Sequence, residues 1–323
     1  MAGRRVVVTG MGGDLGSRVA NLLEAQPWVA QLVGIDADPP RRRMKRATFH
    51  RIDVADHDRT VETITAVDPH VLVHIAVWEP FSRATPSRAR QLTDLATTSV
   101  LGAAAECRSL ESIVVRSGLE VYGREHGAPT RPDESADVRP TSDYGRTLAR
   151  IERTARSVGE RVGVSVAAIR MGTVLGPHVP SPLGRVLRMP VVPFSVLADP
   201  PFAVVEDVAV AWAFVAAAER RLGEPVNVVG NGAITALQAA RRGRRVPVPL
   251  VGPEWRLARA ISGIFGAPIP DHVVETLHRG RLADNSRMTE LLGFTPDTST
   301  VETIDKLYAW PTVIRIPARE AVA

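Results

Sequence analysis

The chain has 323 residues, 45% of them hydrophobic and 23% charged, a balance that excludes wholesale disorder and allows a sizeable buried core. Its 40 basic residues against 35 acidic ones leave a net charge of +5, and nearly every base is arginine, Lys45 and Lys306 being the only lysines. Cys107 is the single cysteine, so no internal disulfide can form and a reducing compartment suits the chain.

The opening MAGRRVVVTG runs straight into a glycine loop and is not read as a signal peptide. Strand-like runs follow at Arg5–Thr9, Gln31–Ile35, Thr48–Ile52, Val71–Ile75, Ser112–Arg116 and Ser165–Arg170. Between them lie helix-like segments at Asp14–Glu24, Arg59–Val67, Ser87–Arg108 and Ser142–Val158. Runs such as Val6-Val7-Val8 are apolar on both faces, as strands covered by helices on both sides must be. The alternation predicts an α/β fold, a Rossmann-type doubly wound parallel sheet. After Arg170 the chain turns rich in proline and glycine, which predicts a smaller C-terminal substrate-binding lobe. Residues 1–170 are expected to form the dinucleotide-binding domain, with later segments returning to it, and 171–323 mainly the substrate-binding lobe. The apolar stretch Val208–Ala218 is too short to span a bilayer, so no integral membrane segment is expected and the expected location is cytoplasmic. The arginine excess is not read as a nucleic-acid footprint.

Arg5 to Gly16 reads RVVVTGMGGDLG, with Gly10, Gly13 and Gly16 spaced G-x-x-G-x-x-G after a strand and at the opening of a helix. Such a loop gives a tight turn, close backbone approach to a pyrophosphate, and helix N–H groups aimed at the phosphates. The loop residues Gly10, Gly12, Gly13, Asp14, Leu15 and Gly16 are therefore the first cofactor-binding candidates. Asp36 closes the second strand, where a carboxylate can accept both adenosine ribose hydroxyls and repel a 2′-phosphate. NAD is favoured over NADP on that ground, although Arg41, Arg42 and Arg43 follow closely and could meet a phosphate. Asp53 and Val54, after the third strand, are adenine-side candidates, and Asp56 reads as a helix cap.

Further along stand His74-Ile75-Ala76, then SGLEVYG from Ser117 to Gly123, Asp133-Glu134, and PTSDY ending at Tyr144. Arg170, Gly176-Pro177, the segment Val204 to Ala209, Asp284, Arg287 and Leu292-Gly293-Phe294 with Pro296 follow in order. With the glycine loop, this series resembles the extended short-chain dehydrogenase/reductase family, the NAD-dependent epimerase/dehydratase group that acts mostly on nucleotide sugars. The resemblance covers nearly the whole chain. It implies that His74, Ile75, Ala76, Ser117, Tyr144 and Arg170 lie about the cofactor. It also implies that Tyr144 exchanges a proton with a substrate hydroxyl or carbonyl, and that Thr173 and Arg281 stand on the substrate side. A homodimer through the helices holding Ser87–Arg108 and Tyr144 is expected on the same ground.

The chain departs from the family pattern where the proton chemistry belongs. The family's lysine, four residues after the tyrosine, is Leu148 here, which offers neither charge nor hydrogen bond. The serine position is Gly118, with Ser117 beside it but facing the opposite way on a strand. Of the paired acids that sugar dehydratases carry next, Leu119 and Glu120 keep only the glutamate. The sugar-nucleotide asparagine is Thr173. Catalytic candidates are thus Tyr144, Ser117 and Glu120.

The histidines show no metal-ligand spacing, no G-x-S-x-G elbow occurs, and Cys107 reads as a buried structural residue. The arginine run Arg241–Arg245 reads as a solvated loop, and Ile261–Gly266 and Val273–Leu277 as core. Two functions remain open. One is an NAD-dependent epimerase/dehydratase or oxidoreductase acting on a nucleotide sugar or a related small molecule. The other is a non-catalytic dinucleotide-binding member that has lost the catalytic lysine and serine.

Overall fold

Seven parallel strands form the centre of the molecule in a computed structural model, which describes residues 3–53, 55–251, 255 and 268–310. In chain order the first elements are β1 (Arg4–Thr9), α1 (Asp14–Leu23), β2 (Val29–Asp36), β3 (Thr48–Arg51), α2 (His57–Val67), β4 (Val71–His74) and α3 (Pro86–Ala104). Then come β5 (Ser112–Gly118) with a 3₁₀ turn (Leu119–Tyr122), α4 (Asp143–Val162), β6 (Ser165–Met171), β7 (Thr173–Leu175), α5 (Pro182–Arg188) and β8 (Val191–Ser195). The remainder is β9 (Val204–Glu206), α6 (Asp207–Arg220), β10 (Val226–Val228), α7 (Ala236–Arg242), β11 (Val246–Leu250), α8 (Asp271–Arg279), α9 (Ser286–Leu292) and α10 (Thr300–Ala309).

The sheet order is β10-β6-β5-β4-β1-β2-β3, so the order reverses between β1 and β4. Chains leaving β1 and β4 turn to opposite sides there and open a crevice at the carboxyl ends of the strands. The apolar strands demand helices on both faces, and the core divides accordingly. Val6, Val8, Val71 and Val73 pack on one face against α1 and α6, through Val19, Val210 and Phe214. Val7, Leu72, Ile113 and Val115 face the other side, toward Leu101, Leu148 and Ile151 of α3 and α4. Later segments return to the sheet: β10 pairs with β6, Val226 opposite Ile169.

A third core lies beyond the sheet. Leu175, Leu183, Phe202, Ile234, Val273, Leu277 and Leu307 close it, so Val273–Leu277 contributes packing. The stretch Ile261–Gly266 lies outside the described residues. Two short parallel pairs, β7 with β9 and β8 with β11, tie this region together. Helix boundaries follow their caps. Asp56 caps α2 by accepting from the Arg59 N–H at 3.2 Å. The Ser142 hydroxyl caps α4 by accepting from the Gly145 N–H at 3.1 Å, which fixes where the Tyr144 helix begins.

Candidate active site

A cleft of about 420 Å³ opens at the reversal point of the sheet. Its floor is the glycine loop between β1 and α1. Gly10 takes φ +81°, and a Cβ there would stand 2.7 Å from the Ala76 amide nitrogen after β4. At Gly16 a Cβ would overlap the Gly10 carbonyl oxygen. Both positions therefore need glycine, one for the turn and one for the approach of helix to loop. Gly13 differs. A Cβ there would meet nothing nearer than the Gly10 carbonyl oxygen at 3.4 Å, an ordinary contact. The loop backbone at Gly13 is bare toward the cleft, and α1 begins at the next residue.

Asp36 closes this end. One carboxylate oxygen accepts from the Gly12 N–H at 2.9 Å and the other from the Asp38 N–H at 3.1 Å. Burial raises its pKa above the ordinary carboxylate range, and the two amides only partly offset that. A small side pocket beside it is lined by Ile35, Ala37, Ile52, Trp78, Ala96 and Val100 together with Thr60 and Ser99. Asp53 stands on the cleft wall, its carboxylate accepting from the Ala55 N–H at 2.9 Å. Asp14, in the first turn of α1, pairs with Arg83 at 2.7 Å and with Arg41 at 3.5 Å.

The far end of the cleft holds Tyr144. Its ring leans on His272 with centroids 4.8 Å apart, and its hydroxyl accepts from Arg116 Nη2 at 3.3 Å. Burial pushes the Tyr144 hydroxyl above its ordinary value of about 10, while Arg116 pulls the other way. Leu148 is 0% exposed. Its methyl packs 3.1 Å from where a Gly118 Cβ would stand, and a Glu120 carboxylate oxygen would overlap that same Cβ. Gly118, Leu148 and Glu120 thus fit one another, and the missing side chain at Gly118 makes the room. Glu120 lines the cleft and lies 3.7 Å from Arg281. Glu79 also lines it and pairs with His272 at 3.0 Å. Thr173 stands on the opposite wall.

The model of the NAD dependent epimerase/dehydratase family matches residues 6–229. The chain belongs to this family. An uncharacterized protein of Mycobacterium tuberculosis is 27% identical over 312 residues, spanning 94% of this chain and 83% of that protein. UDP-glucose 4-epimerase from Thermotoga maritima, solved with UDP-glucose, has a TM-score of 0.72 at 18% identity and covers 95% of this chain and 98% of its own. UDP-glucuronic acid 4-epimerase from Bacillus cereus, in complex with NAD, has a TM-score of 0.71 at 19% identity over 95% and 98% of the two chains. These structures share the fold.

Within the family frame, the cleft gathers Gly10, Gly12, Gly13, Asp14, Leu15, Gly16, Asp36, Asp53, Ile75, Ala76, Tyr144, Glu120 and Thr173. Val54 lies outside the described residues. Four expected residues are turned elsewhere. His74 is fully buried in the sheet, between Thr9 Oγ1 at 2.7 Å and Thr97 Oγ1 at 3.3 Å. Thr97 donates its own proton to the Thr93 carbonyl, so it accepts from His74 Nε2 and leaves Nδ1 to accept from Thr9. Burial pushes this imidazole down to about 4 and keeps it neutral. Arg170, 2% exposed, grips Glu152 through Nε at 2.9 Å and Nη2 at 2.7 Å.

Ser117 contributes to the cleft wall, but its hydroxyl donates to the same Glu152 at 2.5 Å and so faces the buried network rather than Tyr144. Strand alternation is the cause, since Arg116 and Gly118 occupy the cleft face of β5. Arg281 is also 2% exposed and spends its guanidinium on Glu275, Thr276 and the Leu119 carbonyl. It braces the 3₁₀ turn that carries Glu120.

Sequence reasoning missed Arg116, Trp78, Glu79, Arg83 and Arg88, all on the cleft wall. Arg116 had a signal: a cation two residues before Gly118, inside an otherwise apolar central strand. The loop after β4 had a weaker one, its position at the sheet's reversal point. Among the described residues no cluster of histidine, cysteine and acid side chains is arranged to hold a metal ion. Cys107 donates to the Ala103 carbonyl, and burial pushes its thiol up to about 11, which makes it unreactive. Among the described residues, no helix is long and apolar enough to cross a membrane.

Proposed function

We propose that the protein binds NAD in this cleft and receives a nucleotide sugar, or a related hydroxyl- or carbonyl-bearing molecule, beside Tyr144. Asp36 carries the cofactor half of the reading. Its carboxylate is fixed by two backbone amides next to a glycine loop whose Gly13 face is bare, the arrangement that suits ribose hydroxyls and a pyrophosphate. A 2′-phosphate would meet both Asp36 and Asp38 on the wall, which disfavours NADP. The side chain of Arg41 is drawn to Asp14 instead. Gly10, Gly12, Gly13, Asp14, Leu15 and Gly16 would hold the phosphates, Asp36 the adenosine ribose, Ile52 and Trp78 the base. When bound, NAD supplies hydride exchange.

The proton side is altered. A tyrosine held above its ordinary pKa stays protonated at neutral pH and can donate to a carbonyl oxygen, but it is a poor base toward a hydroxyl. Arg116 holds this hydroxyl in place, donating to it at 3.3 Å. Proton transfer through Tyr144 is therefore expected to be slow. Calorimetry with NAD, followed by turnover assays of UDP-glucose with NAD and of a nucleotide 4-keto sugar with NADH, tests this. The reading expects NAD binding and slow turnover in either direction that Tyr144→Phe abolishes.

A second reading is supported by Leu148, whose buried hydrocarbon stands where the family's lysine binds the nicotinamide ribose. Here the protein is a non-catalytic NAD sensor or structural member. NAD binding with no turnover on either panel, identical in Tyr144→Phe, would select it.

The proposal keeps residues 1–170, with α6 and β10 returning, as the cofactor domain, and 171–323 as mainly the substrate lobe. It includes a cytoplasmic location and a homodimer through α3 and α4. The outward side of those helices carries Leu95, Arg146, Arg150 and Arg153, so sedimentation at rising salt is the direct check on assembly.

A further inference from the structure

We propose that Arg116 is an anion-recognition residue, reading a carboxylate on the part of the substrate that reaches Tyr144. The inference rests on the cleft being the substrate site and names the class of substrate it takes. Arg116 sits on the cleft face of β5, in the middle of the sheet, where a cation is expensive to hold without a partner. Its guanidinium has five N–H donors. Nη1 donates to the Val77 carbonyl at 2.9 Å and Nη2 to the Tyr144 hydroxyl at 3.3 Å, while Nε is buried with no partner. Both oxygens that Arg116 meets are neutral.

The acids on the cleft wall are engaged elsewhere. Asp14 pairs with Arg83, Glu79 with His272, and Glu120 lies beside Arg281. Among the described residues no carboxylate pairs with Arg116. The cleft thus contains a fixed positive charge with spare donors at its reacting end. A planar carboxylate matches that fork. A phosphate suits it less, because Glu79 and Glu120 also line the cleft and would repel a second negative charge. The carboxylate would dock within reach of Arg116 and orient the neighbouring carbonyl or hydroxyl toward Tyr144.

The test is calorimetry on the NAD-saturated protein with UDP-glucuronic acid and UDP-glucose, a pair that differs by one carboxylate. The proposal expects the acid to bind about tenfold or more tightly, as charge-assisted hydrogen bonds allow. Arg116→Gln should erase the preference, and Arg116→Lys, which keeps charge but loses the fork, should retain part of it. Equal affinities in the unaltered protein would overturn the proposal, as would a preference that survives Arg116→Gln. If neither nucleotide sugar binds, the nucleotide-sugar reading fails, and malonate against malonamide becomes the probe. A thermal shift with malonate that Arg116→Gln abolishes upholds carboxylate recognition in a different substrate. No difference between malonate and malonamide would overturn it. Should Arg116→Gln not fold, a preference undiminished in Arg116→Lys would overturn the proposal, and a reduced one would uphold it.

Discussion

The two ends of one cleft have been treated differently. At the glycine loop the geometry is tightly specified: Gly10 by its positive φ, Gly16 by contact with backbone, Asp36 by two amide donors. At the Tyr144 end the fold is equally well packed, yet the family's serine and lysine beside the tyrosine are replaced by Gly118 and Leu148. Gly118 and Leu148 are complementary to each other and to Glu120, so the exchange is an integrated repacking of the site. Binding and chemistry are thus separable in this fold. The loop end depends on backbone geometry, and the Tyr144 end on a few side chains that can change together.

The comparison breaks most sharply at the residues the family pattern places near the cofactor and the structure places in a buried network. Glu152→Ala would leave the Arg170 guanidinium buried and unpaired, and the expected loss is about 3–5 kcal/mol in chemical denaturation. A cost near zero would mean that Arg170 is free to serve the cleft. Next, Leu148→Lys tests whether the family residue can be restored. The site is closed and apolar, so the expected result is a loss of about 2–4 kcal/mol and no gain in turnover. A stable and faster variant would show that the repacking is superficial. Gly16→Ala forces a Cβ onto the Gly10 carbonyl, with an expected cost of about 1–3 kcal/mol and loss of NAD binding in calorimetry.

Asp36 gives a smaller effect whose sign is informative. Its folded pKa lies above the unfolded value, so the folded state binds more protons across that interval. The unliganded protein therefore loses stability as pH rises through the two values. Asp36→Asn removes that pH dependence but sets its NH2 against one of the two amide donors, so melting should become flat across that pH interval while NAD affinity falls. Tyr144→Phe should have the smallest effect on stability, about 0.5–1.5 kcal/mol or less, because it gives up only the 3.3 Å contact with Arg116.

These expectations also mark what could be seen in the sequence. The alternation of strands and helices, the glycine loop and Asp36 were legible because each depends on neighbours in the chain and on the end of a particular strand. The losses at Gly118 and Leu148 were legible for the same reason, as gaps in a fixed spacing. His74, Arg170 and Arg281 were not placed correctly, because the partners that claim them are distant: Thr97, Glu152 and Glu275 are brought up by packing of other helices. The orientation of Ser117 was legible by alternation, which turns it away from the face of Arg116 and Gly118. Arg116 needed the same alternation, applied to a residue that no motif pointed to.

The most direct test of the separation is calorimetric titration of NAD and NADP into the unaltered protein, Asp36→Ala and Tyr144→Phe. The account predicts that NAD binds, that NADP binds at least about tenfold more weakly, and that Asp36→Ala loses most of the NAD affinity while Tyr144→Phe keeps it. No binding of NAD, or equal binding of NAD and NADP with Asp36→Ala unaffected, would contradict the claim that the cofactor end of the cleft is intact.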